Sequence, residues 1–434
     1  MRGTASSTEA PPQSLLLPVA NSVNGTVHPD FADLAVAFRR QLERVLSGGA
    51  ALCVYHRGEP VVDLWGGVRD EQGLPWQKDT LGLSYSTTKG VAATLLHVLA
   101  DRGLLDYSAP VARYWPEFGA AGKSGITVRQ VLCHEAGLYH VRDLVDHAQR
   151  LLDWEYMVER LAAAAPRHRP GAAHGYHGLT FGFLVGELVQ RVTGARFADV
   201  LAQELAGPLE LDGLFIGVPE AAIARRSQWL VTENHRDPQS VERIIPRIER
   251  ASRVLRSVGL RVDLRQTVAA LMPAGINELD VNSEAFARAS IPSHNGMFTA
   301  RSLARLYGAL AGQGRLGAVR LLSQKTFERA TQVQNRTFDR VVPAPMHWRL
   351  GYHRVVLFPR RAARAFGHFG YGGSGAWADP DRNLALALVV NRGAGSPFGD
   401  RRIASVSRIA ARCADRRDLR RRGSRPRQLQ ASLS

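Results

Sequence analysis

Lysine is scarce in this chain. Of its 56 basic side chains only Lys78, Lys89, Lys123 and Lys325 are lysines, and the rest are arginines. Arginine does not deprotonate in proteins, so any chemistry that needs an amine as base has very few places to occur. Cysteine is nearly as rare. Cys53, Cys133 and Cys413 are far apart and odd in number, a pattern that gives no disulfide framework and no metal-ligand spacing and that suits a reducing compartment. Long apolar runs are missing too. None approaches the ~18 residues that a membrane-spanning helix needs. The apolar piece Leu15 to Ala20 is short, is interrupted by Pro18 and follows no clear basic region. Residues 1–27 therefore read as a disordered leader rather than a signal peptide, and a cytoplasmic location is expected. There is no internal repeat.

At 434 residues and 45% hydrophobic composition, the chain can bury a sizeable core and has room for two lobes. Its formal charge is +17, which raises nucleic acid or an anionic surface as partners. About half of that charge comes from the last 34 residues, where eleven arginines meet two aspartates. Residues 415–434 have the composition of a basic disordered tail. The expected reading of that tail is a solvated extension with no partner of its own.

Helical spacing runs from Phe31 to Val45 through Leu34, Phe38 and Leu42. Two strands, 50–55 and 60–65, follow around the turn His56-Arg57-Gly58-Glu59. A helix whose apolar face includes Val91, Leu95, Val98 and Leu99 begins near Ser86 and stops at Gly103. A short helix from Ile126 ends at Cys133-His134, and His134 reads as a helix-end residue bonded to nearby backbone. Thr180 to Val192 is amphipathic, with Gly194 as its cap. Residues 219–289 are Arg-rich and helical, and suit a lid or a substrate-shaping element. Thr299 caps another helix. Strands are expected at 351–358, 375–378 and 384–391, with a glycine-rich edge at 365–374, and a last helix over about 400–414. Strands near both ends imply one sheet built from both ends, with a helical lobe between them. The expected division is 28–85 with 290–414, and 86–289 as the insert.

One stretch carries chemistry: Ser84-Tyr85-Ser86-Thr87-Thr88-Lys89-Gly90. If the helix starts at Ser86, residues three apart share a face, and the Ser86 hydroxyl lies beside the Lys89 amine. A serine hydroxyl is a poor nucleophile until a base takes its proton. The helix N-terminus there also favours developing negative charge. Ser-x-x-Lys alone leaves a plainer reading open, with Ser86 an N-cap and Lys89 a solvated residue. Gly-x-Ser-x-Gly is absent, since Gly372-Gly373-Ser374-Gly375-Ala376 fails at its last position.

Two further stretches follow Ser86-x-x-Lys89 in order: Tyr176-His177-Gly178 and His368-Phe369-Gly370. Together with Val61 to Gly67, Arg113 to Phe118 and Gly367 to Gly373, this set resembles the serine β-lactamase and penicillin-binding-protein superfamily. The closest resemblance is to class C β-lactamase-like esterases, and it spans roughly residues 27–414. It implies an α+β, β-lactamase/transpeptidase-like fold, with an antiparallel sheet flanked by helices and an inserted all-helical lobe. It also implies a serine hydrolase without cofactor or metal that acts on a small-molecule ester. Ser86 would be acylated, Lys89 would share its proton, and Tyr176 would be the general base or the relay. A free tyrosine is only ~0.1% phenolate at neutral pH, so a nearby ammonium, Lys89, would have to lower its pKa. The amides of Ser86 and Tyr371 would form an oxyanion hole, worth ~3–4 kcal/mol per donor. Gly370 would let the acyl group lie close, and His368 and His177 would line the substrate site.

Departures from the lactamase pattern bear on the substrate. Gly178 stands where a lactamase has the Asn that holds the antibiotic's side chain. His368 stands where it has a Lys that attracts a carboxylate. Both favour ester over β-lactam hydrolysis. A β-lactamase or D-alanyl-D-alanine peptidase is the rival within the family. A catalytically silent or nucleic-acid-binding protein is the rival outside it.

Overall fold

Two runs at opposite ends of the chain, Gly49–His56 and Leu384–Val390, are buried at every position and pair with each other, with Leu52 opposite Leu388 and Val54 opposite Leu386. They form the centre of a seven-stranded antiparallel sheet in a computed structural model that describes residues 23–44, 48–231, 240–257, 263–355, 362–393 and 401–423. The strand order is 24–27, 59–67, 49–56, 384–390, 375–379, 366–369 and 353–354.

These runs lack the polar alternation of a one-sided sheet because helices cover both faces. Tyr55 packs on Gly308 of the Ala300–Ala311 helix, while the next residue, His56, meets Phe31 and Arg417 on the opposite side. Thr299 caps the 300–311 helix by accepting a hydrogen bond from the Ser302 amide at 3.1 Å. Gly194 closes the Thr180–Thr193 helix in the left-handed conformation, φ 69°. Among the described residues of 86–289, helices and turns predominate and Leu214–Phe215 is the one strand. That strand joins Gly82–Leu83 and Met297–Phe298 in a three-stranded sheet beneath the nucleophile loop. One continuous apolar core runs from Phe31 to Ala414 and is shared by the sheet and the insert.

Three sequence-based expectations need correction. Asn24–Val27, placed in the leader, is an edge strand paired with Val62–Trp65, and residues 1–22 lie outside the described residues. The strand expected over 351–358 is only His353–Arg354, and 356–361 lie outside the described residues. The third correction is at the C-terminus, where the helix does not stop at Ala414 but runs from Arg401 to Gly423. Its apolar side (Ile403, Val406, Ala410, Cys413) is buried, and acids from the N-terminal segment take up its arginines. Arg416 pairs with Asp33 at 2.6 Å, Arg417 with Glu59 at 3.1 Å and Arg420 with Asp30 at 2.5 Å, while Asp418 accepts from Arg57 at 2.7 Å.

This segment therefore ties the two chain ends together. Ending the chain at Ala414 is expected to cost about 3 kcal/mol, the scale of leaving partly buried charges without partners. Equal thermal midpoints for truncated and full-length protein would return the segment to a solvated extension. Cys53, Cys133 and Cys413 are free and buried. Among the described residues no helix is long and apolar enough to cross a membrane.

Candidate active site

The loop entering the Thr87–Asp101 helix is strained where it matters. Tyr85 adopts φ 43°, a left-handed conformation that costs an aromatic residue of order 1–3 kcal/mol. Edge-to-face packing against Trp229, His294 and Tyr371, with ring centroids at 4.9, 4.9 and 5.3 Å, holds it there. The strain turns Ser86 outward. From Thr80 to Leu99 every residue is buried except Ser86. Ser86 occupies the N-cap position but its side chain makes no capping bond, so the plain N-cap reading of this serine does not hold.

The hydroxyl is engaged elsewhere. Lys89 Nζ lies 3.1 Å from Ser86 Oγ, and the Tyr176 hydroxyl donates to the same oxygen at 2.7 Å. Lys89 is fully buried, not solvated, and its Nζ also donates to the carbonyls of Gly178 at 2.6 Å and Ser293 at 2.9 Å. Burial, with no carboxylate beside it, pushes the Lys89 ammonium well below the ordinary lysine range. In the neutral state two N–H groups serve the two carbonyls, and the one lone pair is left for the Ser86 hydroxyl.

Of the two roles the resemblance implies for Tyr176, its surroundings favour the relay. Burial raises its pKa well above the ordinary tyrosine value, the bond to Ser86 offsets this only in part, and the charge of Asp339 raises it further. A phenolate held by a lysine ammonium is not what this environment favours. Here the phenol is held protonated as a hydrogen-bond donor, and burial favours the free amine of Lys89 as the group able to accept a proton.

Asp339 is the residue that sequence reasoning missed. Its buried carboxylate accepts from the Tyr176 amide at 3.0 Å, from the amides of Val341 and Val342 at 2.8 and 2.9 Å, and from Trp348 Nε1 at 2.9 Å. Trp348 in turn stacks on the Tyr176 ring, 5.5 Å between centroids and 5° from parallel. One carboxylate thus fixes both the backbone and the ring plane of Tyr176. Ser293 was also missed, because a backbone carbonyl that receives Lys89 leaves no mark in the sequence.

The remaining predicted residues separate into two groups. His177 is a scaffold rather than a substrate contact. Its Nδ1 donates to Gly175 O, its Nε2 accepts the Leu138 amide and its own amide donates to His134 Nδ1, all inside a fully buried ring. His134 is therefore a structural partner of the Tyr176 loop. Gly370 is required for a different reason from the one expected. A Cβ there would lie 2.2 Å from Ser84 O, so the glycine lets the edge strand meet the nucleophile loop. That approach brings together the segments carrying the Ser86 and Tyr371 amides. Among the described residues neither amide has a backbone acceptor, and both remain available for an oxyanion.

His368 lies beside Tyr176, 6.1 Å between ring centroids. Its Nδ1 faces the carbonyl of Phe369 at 3.1 Å, so it carries the proton. Its buried Nε2 has no partner among the described residues. Burial holds the ring well below the ordinary histidine range, so it is neutral. Tyr176, Val342, Met346, Trp348, His353, His368 and Phe369 enclose a cavity of about 30 Å³ next to these groups.

A serine, a buried lysine and a tyrosine on one oxygen, set between a helix start and a glycine-containing edge strand, can be compared with known proteins. Residues 37–411 match the family model described as Beta-lactamase. The chain belongs to the beta-lactamase family. Within it, the esterase/beta-lactamase LipL of Mycobacterium tuberculosis (strain ATCC 25618 / H37Rv) is 41% identical over 376 residues, 85% of this chain and 83% of that relative. The crystal structure of a family VIII carboxylesterase has a TM-score of 0.79 and 34% identity, covering 90% of this chain and 100% of the other. A penicillin-binding protein homolog from Caulobacter crescentus has a TM-score of 0.76 at 34% identity and the same coverage.

Against the lactamase pattern of this family, the third position of the tyrosine motif is closed off. A Cβ on Gly178 would lie 2.2 Å from Leu271 Cδ2 and 2.9 Å from Ala270 O. The Leu264–Leu271 helix thus occupies the space that a side chain at position 178 would need.

Proposed function

We propose that this protein is a serine carboxylic-ester hydrolase that cleaves esters of short to medium acyl groups through an acyl-enzyme on Ser86. The observation that carries the reading is the convergence of Lys89 Nζ and the Tyr176 hydroxyl on Ser86 Oγ, at 3.1 and 2.7 Å. The esterase relatives support the substrate class. The neutral Lys89 amine takes the hydroxyl proton as Oγ attacks the ester carbonyl carbon. The amides of Ser86 and Tyr371 receive the oxyanion. Collapse breaks the bond to the alkoxide, which takes a proton from the Tyr176 hydroxyl, and Tyr176 recovers one from Lys89 through the shared network. Water then attacks the acyl-enzyme by the same steps in reverse, releasing the acid and restoring Ser86.

Three features favour esters over β-lactams. Leu271 and the Ala270 carbonyl stand where an amide-recognising side chain would be. His368 is neutral and offers no fixed cation to a substrate carboxylate. The cavity beside Tyr176, at about 30 Å³, holds one or two water molecules, so a bound acyl chain must be short or must displace Met346. Arg416, Arg417, Arg420 and Arg421 are paired with Asp33, Glu59 and Asp30, which supports a structural role for this segment over nucleic-acid binding. Three free, buried cysteines fit the reducing conditions of a cytoplasmic location.

A fluorophosphonate probe is expected to label Ser86, and Ser86→Ala is expected to lose both labelling and turnover of p-nitrophenyl butyrate. Unchanged turnover in that variant would end the proposal. Nitrocefin turnover on a par with ester turnover would favour the lactamase reading instead.

A further inference from the structure

The Ser240–Ser257 helix packs on the Leu264–Leu271 helix. Its inner side, Ile245, Ile248 and Ser252, packs toward the Leu264–Leu271 helix, and Ser252 Oγ donates to Asp263 at 2.8 Å. That inner helix carries the Leu271 that abuts Gly178, whose carbonyl holds Lys89. On the outer side a second band repeats at helical spacing: Ile244, Arg247, Ala251 and Val254, with Arg250 beside it. Ile244 is 38% exposed and Val254 57% exposed, among the most open large apolar side chains described. Arg247, Arg250, Ala251 and Val254 line one shallow, mostly apolar hollow.

Charge on this face is one-sided. Glu242 is taken by Arg142 at 2.7 Å, and the field of Glu249 falls on Arg265. Among the described residues no carboxylate pairs with Arg247, Arg250 or Arg253. Apolar side chains interleaved with uncompensated guanidinium groups on an exposed helix match one chemistry well. The apolar groups enter the boundary between headgroups and acyl chains, while the guanidinium groups bind lipid phosphates in charge-assisted pairs.

We infer that the 240–257 helix docks on an anionic lipid surface, with Ile244, Ala251 and Val254 inserted and Arg247, Arg250 and Arg253 on the phosphates. Docking there brings the 264–271 helix, whose Leu271 abuts Gly178, toward the lipid boundary, where water-poor esters concentrate. The binding itself does not depend on the proposed hydrolysis, so the two can fail separately.

The test is co-flotation of the full chain with vesicles of phosphatidylglycerol in phosphatidylcholine, compared with phosphatidylcholine alone. Wild type is expected to float with the anionic vesicles only, and less as salt rises. Each arginine near the surface contributes about 5-fold, so Arg247→Glu with Arg250→Glu is expected to weaken binding at least ~30-fold. Val254→Asp is expected to weaken it as well, by blocking insertion. Both variants should keep wild-type turnover of p-nitrophenyl butyrate without vesicles, which shows that the site is intact. Equal binding to neutral vesicles, no binding to anionic ones, unchanged binding by the double variant, or equally tight binding to a short DNA duplex would overturn the inference. Loss of binding on removing residues 424–434 alone would also overturn it.

Discussion

Lys89→Arg puts a fixed positive charge beside Ser86 in place of an amine and is expected to lose about 10²–10⁴-fold in kcat/KM for p-nitrophenyl butyrate, the contribution of a positioned general base. The expectation follows from counting hydrogen bonds. The two carbonyls, Gly178 and Ser293, consume the two N–H groups of a neutral amine and aim its lone pair at Ser86 Oγ. Burial favours the neutral state by pushing the ammonium below the ordinary lysine range. A guanidinium has no lone pair to offer at any accessible pH. Because arginine is also bulkier in a fully enclosed site, Lys89→Met serves as a second variant and should be equally inactive with a wild-type thermal midpoint. In the wild type the acid limb of kcat/KM should lie well below the ordinary lysine pKa. Full activity in either variant would move the role of base to Tyr176.

The largest expected effect on stability comes from acid. His97 and His353 are held at about 4 and His177 and His294 at about 3, chiefly by burial. All are depressed from the ordinary value of 6.5. Above 6.5 these rings are neutral in both states. As pH falls below it the unfolded chain takes up protons that the folded chain refuses, so stability is lost until the folded values are reached. Each group contributes up to about 1.4 kcal/mol per pH unit. The four together lose about 5 kcal/mol per pH unit, comparable with the whole stability of a typical domain. Unfolding is therefore expected near pH 5, above the range where carboxylates titrate. A thermal midpoint that stays flat from pH 7 to 5 would contradict this burial.

How much of the site could be read from residue order depends on the kind of contact. Ser86 and Lys89 lie on one helical turn, and their meeting follows from the 3.6-residue period. Thr299 and Gly194 announce helix ends through chemistry that is local to them. Tyr176 was reachable only by resemblance, since nothing near it distinguishes a relay from a packed ring. Asp339 could not be found this way at all. Its four donors come from Tyr176, Val341, Val342 and Trp348, and only the fold assembles them. The C-terminal helix was misread for a similar reason. Arginine-dense sequence looks solvated until the acids that meet Arg416, Arg417 and Arg420, namely Asp33, Glu59 and Asp30, are brought from more than 350 residues away.

The pairing of strand 49–56 with strand 384–390 has a consequence for biosynthesis. The first partner leaves the ribosome long before the second exists. At about 5–20 residues per second, the nascent chain waits roughly 15–65 s with an unpaired, wholly apolar edge at Leu52 and Val54. Completion of the sheet thus waits for the last strand to emerge, and a holding chaperone should associate with stalled chains that end before Leu384 and release those in which Val390 has left the ribosome.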